Sequence, residues 1–571
     1  MDNQLPKHLI IGLALIQGVV LTLLYRSVEH QMWPSTEPVW LTALATFAIS
    51  FPLMTFMSIT RENTTRLIKY LVAFCLILTL LGGYVGLQQE PIDKVSNFGM
   101  VATFIFTAHI AAFKGLMYVQ QRLSNEPFTY GALFKFSWQN FIIFAQCWLF
   151  VLIFWGILNL GAGLFAVLEI NFFKELLTKD WFIIPVLNLA FGFAIIVFRN
   201  IVHTADNIAT ILKTLIKFLL PALTIVSLGF LVTLPFTGLE SLWKTGSGSL
   251  LVMWLQALTL FFVNAVYQDE EKSHPYHHIV HRLIYLGVAL LPIYSVIAFY
   301  GIWLRVDQYG LTVDRCWAML VNFLLACFSF GYAFAIIKKR DAWLAMSGKV
   351  NVAMGLVVLA VMLLVNSPII NFQALTVKSQ LARLHSGELT YENFDYQYFD
   401  YALGRQGYLA LEELKQELAT DHPDIIAKID RMYINIDPAK EPSHTVDSFE
   451  KLVTYWPEKQ LFPEGLLNAV YKAETKSRWA QFEKNNYYFI AVDLNDDENN
   501  EYVVITENNH STSGDMWRFD EDEWKSSYMP VHNPDDIRYL KSLLETKPVK
   551  VIEPKWKNVQ IGSLVFKAPI E

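Results

Sequence analysis

The chain has 571 residues, 54% of them hydrophobic and only 17% charged, with a formal net charge of −7. So few charges over that length argue against an ordinary soluble protein. The acidic balance offers no clustered positive surface and excludes nucleic acid as a partner. The charge also separates along the chain: residues 372–571 hold 22 basic and 34 acidic side chains, whereas residues 1–371 hold 23 and 18.

A helix needs about 20 apolar residues to cross the hydrocarbon, because lipid offers no partner to a free backbone group. The apolar stretches predict eleven spans: His8–Tyr25, Val39–Ile59, Ile68–Leu87, Phe98–Tyr118, Phe141–Leu168, Trp181–Phe198, Ile211–Pro235, Leu250–Val266, Ile279–Leu304, Cys316–Ile337 and Val350–Val365. The first has a short basic lead and no small-residue cleavage site, so it reads as a retained anchor. Cys75, Cys147, Cys316 and Cys327 lie in or beside these stretches and give the polar tail no disulfide framework.

Lys and Arg in the gaps set the orientation. Lys7, Arg61, Arg66, Lys69, Lys114, Arg122, Lys135, Arg199, Lys213, Lys217, Lys272, Arg282, Lys338, Lys339, Arg340 and Lys349 fall on the N-terminal side. Arg26, Lys94, Lys174, Lys179, Lys244, Arg305 and Arg315 fall on the other. That excess predicts a cytoplasmic N-terminus, and an odd number of spans then puts the tail outside the cytoplasm. The expected organisation is a transmembrane domain over 1–371 and an acidic, extracytoplasmic domain over 372–571.

Polar residues inside spans are His109, Gln146, Asn159, Asn188 and Gln256. Such groups line pathways or hydrogen-bond a neighbouring helix, and the second role is the commoner. His109 lies nearest mid-span and is the candidate for a substrate contact. Lys114 is near enough to the cytoplasmic end to snorkel. Pro185, Pro221 and Pro292 can break helices.

The gap before span nine holds His274, His277, His278 and His281 beside Asp269, Glu270 and Glu271. Imidazoles three and four apart share a helix face and suit Zn²⁺ or another transition metal, although Pro275 interrupts that helix. Two outward gaps, Leu242–Gly248 and Leu304–Arg315, mix aromatic, cationic and Gly residues. Arg305, Asp307, Tyr309, Asp314 and Arg315 are candidates for a lipid headgroup or for docking the tail. The plainer reading is an aromatic belt with helix caps, Thr312 capping span ten.

Pro368 marks the exit from the last span. Ala374–Leu384 reads as a short amphipathic helix and Leu409–Leu418 has helical spacing. Strands follow at Tyr488–Val492 and Tyr502–Thr506, with a hairpin around Trp517 and Trp524. The pattern predicts a small α+β domain, helices first and a mostly antiparallel sheet after. Between the first two strands, Asp493, Asn495, Asp497 and Glu501 place oxygens at loop positions one, three, five and nine, a spacing that suits Ca²⁺. Position six is Glu498 rather than Gly, and a solvated acidic turn explains the same residues.

Phosphate-binding Gly loops, a nucleophile elbow and a zincin helix are absent from the sequence. The first outward loop offers only Glu29 and Glu37, a poor match to the acidic pair of membrane glycosyltransferases.

Asn264-Ala265-Val266-Tyr267-Gln268-Asp269, Leu242–Gly246, Arg305–Arg315, Ser379–Leu384, Phe394-Asp395 and Leu403–Tyr408 together carry a family likeness. From span five to the strand region the chain resembles the bacterial polytopic membrane family catalogued as domain of unknown function four-one-five-three. The resemblance implies a bacterial inner-membrane protein with a polar C-terminal domain, and it implies no activity. The leading reading is a non-enzymatic protein of transport or cell-envelope upkeep, whose partners are the bilayer and an envelope protein or lipid. Two others stay open: a membrane-embedded transferase acting on a lipid-linked substrate, and an envelope sensor binding divalent cations through its C-terminal domain.

Overall fold

The computed structural model describes residues 5–95, 98–124, 128–244, 247–267, 275–340, 343–418, 422–433, 446–476, 485–494, 500–507, 512–520, 523–529, 559–561 and 564–566. They form two compact units, Met1–Glu417 and Leu418–Glu571.

Among the described residues, the regular elements of the first unit are all helices. Its first half holds α1 (Lys7–Glu29), α2 (Pro38–Ser58), α3 (Thr64–Leu87), α4 (Phe98–Leu123), α5 (Tyr130–Val167), short α6 (Phe172–Leu177) and α7 (Asp180–Asn200). Next come α8 (Val202–Thr237), short α9 (Glu240–Lys244), α10 (Gly248–Val266), α11 (His278–Ala289), α12 (Leu291–Tyr309), α13 (Val313–Lys339) and α14 (Trp343–Leu364). Three shorter helices close it: α15 (Phe372–His385), α16 (Tyr396–Ala402) and α17 (Gly404–Glu417). Among the described residues, eleven stretches are long and apolar enough to cross a bilayer, α11 and α12 together making one of them. Their outer faces carry side chains that water would not tolerate in such number, among them Leu80, Phe218 and Phe236 at 75%, 77% and 86% exposure. The chain is a multi-pass membrane protein.

The prolines act by position. Pro185 and Pro221 sit inside unbroken helices. Pro292 falls in the first turn of α12, where its missing N–H costs nothing, and the ninth span breaks just before it at Leu290. The fifth span begins eleven residues before the apolar run that predicts it. Residues 130–140 interleave aromatic and polar side chains, which lowers their hydrophobicity without weakening the helix.

Span ends sort into two sets. On one side, Arg26 at the end of α1 bonds Asp180 at the start of α7, with N–O 3.1 Å. Arg405 of α17 donates to the Glu90 carbonyl beyond α3 at 3.1 Å, and Asn371 before α15 donates to Tyr84 near the end of α3 at 2.8 Å. On the other side, Arg199 at the end of α7 donates to the Phe56 carbonyl of α2 at 2.6 Å. Gln120 of α4 donates to the Met57 carbonyl at 3.2 Å, and Tyr118 to the Val352 carbonyl of α14 at 2.6 Å. Each of these bonds joins ends that an eleven-fold crossing puts on the same side.

The second unit is α+β. It holds α18 (Pro423–Met432), α19 (Val446–Glu450), β1 (Val453–Trp456), α20 (Glu464–Lys476), β2 (Asn486–Val492), β3 (Glu501–Glu507), β4 (Thr512–Asp520), β5 (Glu523–Met529), β6 (Val559–Ile561) and β7 (Leu564–Phe566). One sheet runs β1-β2-β3-β4-β5, and β6 pairs with β7. The β2–β5 meander is antiparallel, with Phe519 opposite Trp524 near the β4–β5 turn. Parallel pairing of β1 with β2 follows from the α20 crossover between them. Phe449, Leu466, Val470, Tyr487, Phe489, Val504 and Trp517 form the core.

Candidate functional site

Thr129 caps α5, its hydroxyl accepting from Ala132 N–H at 3.4 Å. The helix then carries Tyr130, Phe134 and Trp138 one turn apart, their ring centroids 5.8 and 5.9 Å from each other in sequence. This stripe forms one wall of a chamber of 460 Å³. Phe113, Lys114, Met117 and Tyr118 of α4 form the second wall. Phe261 and Asn264 of α10, Phe328 of α13, and Asn351 and Gly355 of α14 complete it. Phe141 and Phe261, 57% and 51% exposed, flank the chamber where the bundle surface meets lipid.

Asn264 organises the polar side. Its carboxamide oxygen accepts from Asn351, and the single Tyr332 hydroxyl hydrogen is shared between that oxygen, at 2.7 Å, and the Asn351 carboxamide oxygen. Tyr130 donates to the Asn264 carbonyl at 3.4 Å. Gly355 is required by space, since a Cβ there would strike the Tyr118 hydroxyl.

Among the described residues, Lys114 is the one cation in the chamber lining. Nine residues separate it from Leu123 at the end of α4, about 14 Å of helix. Among the described residues no hydrogen bond or ion pair engages its ammonium. It contributes a positive charge to an aromatic wall. Such a charge is costly where it is partly buried without a partner. The chamber is thus complementary to an amphiphile: an apolar body between aromatic faces, with an anionic group against Lys114.

The patch at the α12–α13 turn is built differently. Arg315 donates to the Gly310 carbonyl at 2.6 Å, Arg383 of α15 to the Gln308 carbonyl at 2.9 Å, and Gln380 to the Tyr309 and Leu311 carbonyls at 3.0 and 2.7 Å. Ser379 accepts from Leu311 N–H at 3.0 Å, and Tyr398 of α16 from Val313 N–H at 2.9 Å. Arg305 and Arg315 both lie over the Tyr309 ring, at 5.9 and 5.5 Å. Thr312 caps α13 by accepting from Arg315 N–H at 3.3 Å. Asp307, Tyr309 and Asp314 are exposed. Gly310 has φ +72° and no room for a Cβ, which would lie 2.8 Å from Arg383 Cδ. The patch docks α15 and α16 onto the turn between α12 and α13.

His109 lies on a lipid-exposed face of α4, its Nδ1 2.6 Å from the Ile105 carbonyl of its own helix, beside a cavity of 190 Å³. Asn159 and Asn188 likewise donate to carbonyls of their own helices, at 2.9 and 2.8 Å. Gln256 alone of the five polar residues bridges helices, donating to Ser295 and Ser329 at 2.6 Å each. His277 and His278 are exposed, whereas His281 is buried with Nδ1 3.1 Å from Tyr267 Oη, so these three do not share one environment. His274 lies outside the described residues, as do Asn495 and Asp497 of the acidic loop. Glu501 accepts from Leu494 N–H at 2.8 Å. Among the described residues, no group of three or more His, Cys, Asp or Glu is placed to hold a metal.

In the sequence Asn264 stands out only within the family-like run, and Asn351 and the chamber position of Lys114 do not stand out at all. The spacing of Tyr130, Phe134 and Trp138 was the available signal, an aromatic face running ahead of the predicted span.

No curated protein and no solved structure matches the chain. A family model does, from residue 16 in the first span to residue 414 in α17. The match therefore begins well before span five and stops short of the strands. Its end nearly coincides with the end of the first compact unit at Glu417. The chain belongs to the family described as Domain of unknown function (DUF4153).

Proposed function

We propose that this protein is a non-enzymatic component of a bacterial inner membrane that takes an amphiphilic anion from the bilayer into the α4–α5–α10–α14 chamber, in transport or cell-envelope upkeep. The carrying observation is Lys114, an ammonium without a partner among the described residues, in an aromatic pocket flanked by exposed Phe141 and Phe261. A bound anion would offset the cost of that charge. The excess of Lys and Arg at the even gaps supports a cytoplasmic N-terminus. The chamber then opens in the cytoplasmic leaflet, since it lies toward the ends of α4 and α10 and the starts of α5 and α14. The acidic residues after 371 would face the periplasm, where an envelope protein or lipid is the expected partner.

Reconstituted protein and its Lys114→Met and Lys114→Arg variants test this reading. Binding of an anionic fluorescent lipid should fall at least tenfold in Lys114→Met, about 1.4 kcal/mol, and largely survive in Lys114→Arg. Equal binding by all three removes the chamber from the function.

A further inference from the structure

On the other face of the α4–α5 wall lies a second cavity, a cup of 610 Å³ at the membrane edge. Glu62 lines it from the turn before α3, Arg66 from the first turn of α3, Arg199 from the end of α7, and Gln120 and Asn140 from α4 and α5. Its amides are locked. Asn140 donates to Gln120 at 2.7 Å, and Gln120 donates back at 3.2 Å. Asn63 bridges the Ser58 carbonyl and Thr60 N–H at 3.1 and 2.8 Å.

The charged groups are not locked. Among the described residues Glu62 and Arg66 engage no partner, and Arg199 has one, the Phe56 carbonyl at 2.6 Å. A guanidinium carries five N–H donors in a fixed fork, so Arg199 is anchored with most of its donors unused. Two guanidinium groups around one cavity match the several acceptor oxygens of a phosphate. Glu62 beside them disfavours a bare anion and favours a ligand that also brings a cation or hydroxyl.

We infer that this cup binds a phosphate ester bearing an amino or hydroxyl group, phosphoethanolamine being the simplest representative. The same chemistry occurs in a free phosphate ester and in a lipid headgroup. This inference uses none of the chamber residues, so it stands or falls apart from the proposed function.

The test is calorimetric titration of the full-length protein in detergent with phosphoethanolamine and with inorganic phosphate, and of nanodisc-embedded protein with phosphatidylethanolamine. Arg66 is exposed and engages no hydrogen bond or ion pair among the described residues, so Arg66→Gln should retain the wild-type Tm and weaken the bound probe by roughly tenfold or more. Glu62→Gln should weaken phosphoethanolamine while strengthening inorganic phosphate, reversing the preference. Binding of the soluble ester alone identifies a free ester as the source, and binding of the lipid alone identifies a headgroup. Absence of binding by all three probes, or wild-type affinity in Arg66→Gln, overturns the inference.

Discussion

Two regions of the helical unit hold cations near the membrane, and they treat them in opposite ways. At the α12–α13 turn, Arg315 and Arg383 donate to loop carbonyls within 2.6–2.9 Å, and Tyr309 lies beneath Arg305 and Arg315. In the chamber, Lys114 faces aromatic rings and two asparagines that are already bonded to each other and to Tyr332. The first arrangement is a closed hydrogen-bond network, and closed networks fix structure. The second leaves a charge open, which costs stability and is retained where a ligand completes it. Sequence alone draws attention to the first member of this pair, because arginines in a loop look more available than a lysine near a helix end.

The contrast breaks most visibly at Gly310. Gly310→Ala must adopt φ near +72° and push Arg383 and Gln380 aside. A loss of about 3 kcal/mol is expected, seen as a clear drop in Tm by differential scanning fluorimetry in detergent. A variant that melts with wild type would show that the α15 clamp contributes little.

Gln256→Leu is the next largest. It abolishes two bonds, to Ser295 and Ser329, in a fully buried three-helix junction. Polar bonds between membrane helices are worth about 0.6–2 kcal/mol each, so a moderate fall in Tm is expected. Lys114→Met, by contrast, should hold or raise Tm in the absence of ligand, because it removes an uncompensated charge. If Lys114→Met destabilises the fold as Gln256→Leu does, the lysine is structural and the contrast fails.

The smallest effect concerns pH and the second unit. Burial raises the Glu474 carboxyl above its ordinary value, an effect that the hydrogen bond from Tyr487 partly offsets and that Asp515 adds to. Burial likewise raises Asp515. A group with a raised folded pKa contributes stability that is complete below the unfolded value, about 4.3 for Glu, and is lost as pH rises through the folded value. Thermal unfolding of the sheet, followed by tryptophan fluorescence, should therefore shift upward as pH falls from neutral toward that window. Glu474→Gln should flatten the dependence, and an unchanged pH profile would show that Glu474 is solvated.

Much of the architecture is legible in the sequence because lipid imposes a simple rule. Each backbone polar group must be satisfied within its own helix, so every crossing appears as one long apolar run. All eleven runs correspond to helices, although polar flanks hid the first turns of α5 and α14. Thr312 is readable as a cap because the residue type and the helix start coincide. The parallel strand β1 escaped notice: four residues give no periodicity, and its pairing depends on α20, which follows it in the chain. Leu403–Tyr408 was noticed for its family likeness, but not for the bonds of Arg405 and Gln406 to Gln88 and Glu90.

The amino-acid order by itself determined which segments enter the membrane, how many times, and where caps and turns interrupt them. These are local consequences of hydrophobicity and backbone hydrogen bonding. Tertiary packing alone decided that Lys114 lies among the rings of α5, that Asn264 and Asn351 meet Tyr332, and that Arg66 and Arg199 share a cup. Those residues come from helices far apart in sequence, and their encounter depends on how helix faces rotate and pack, which no local pattern encodes.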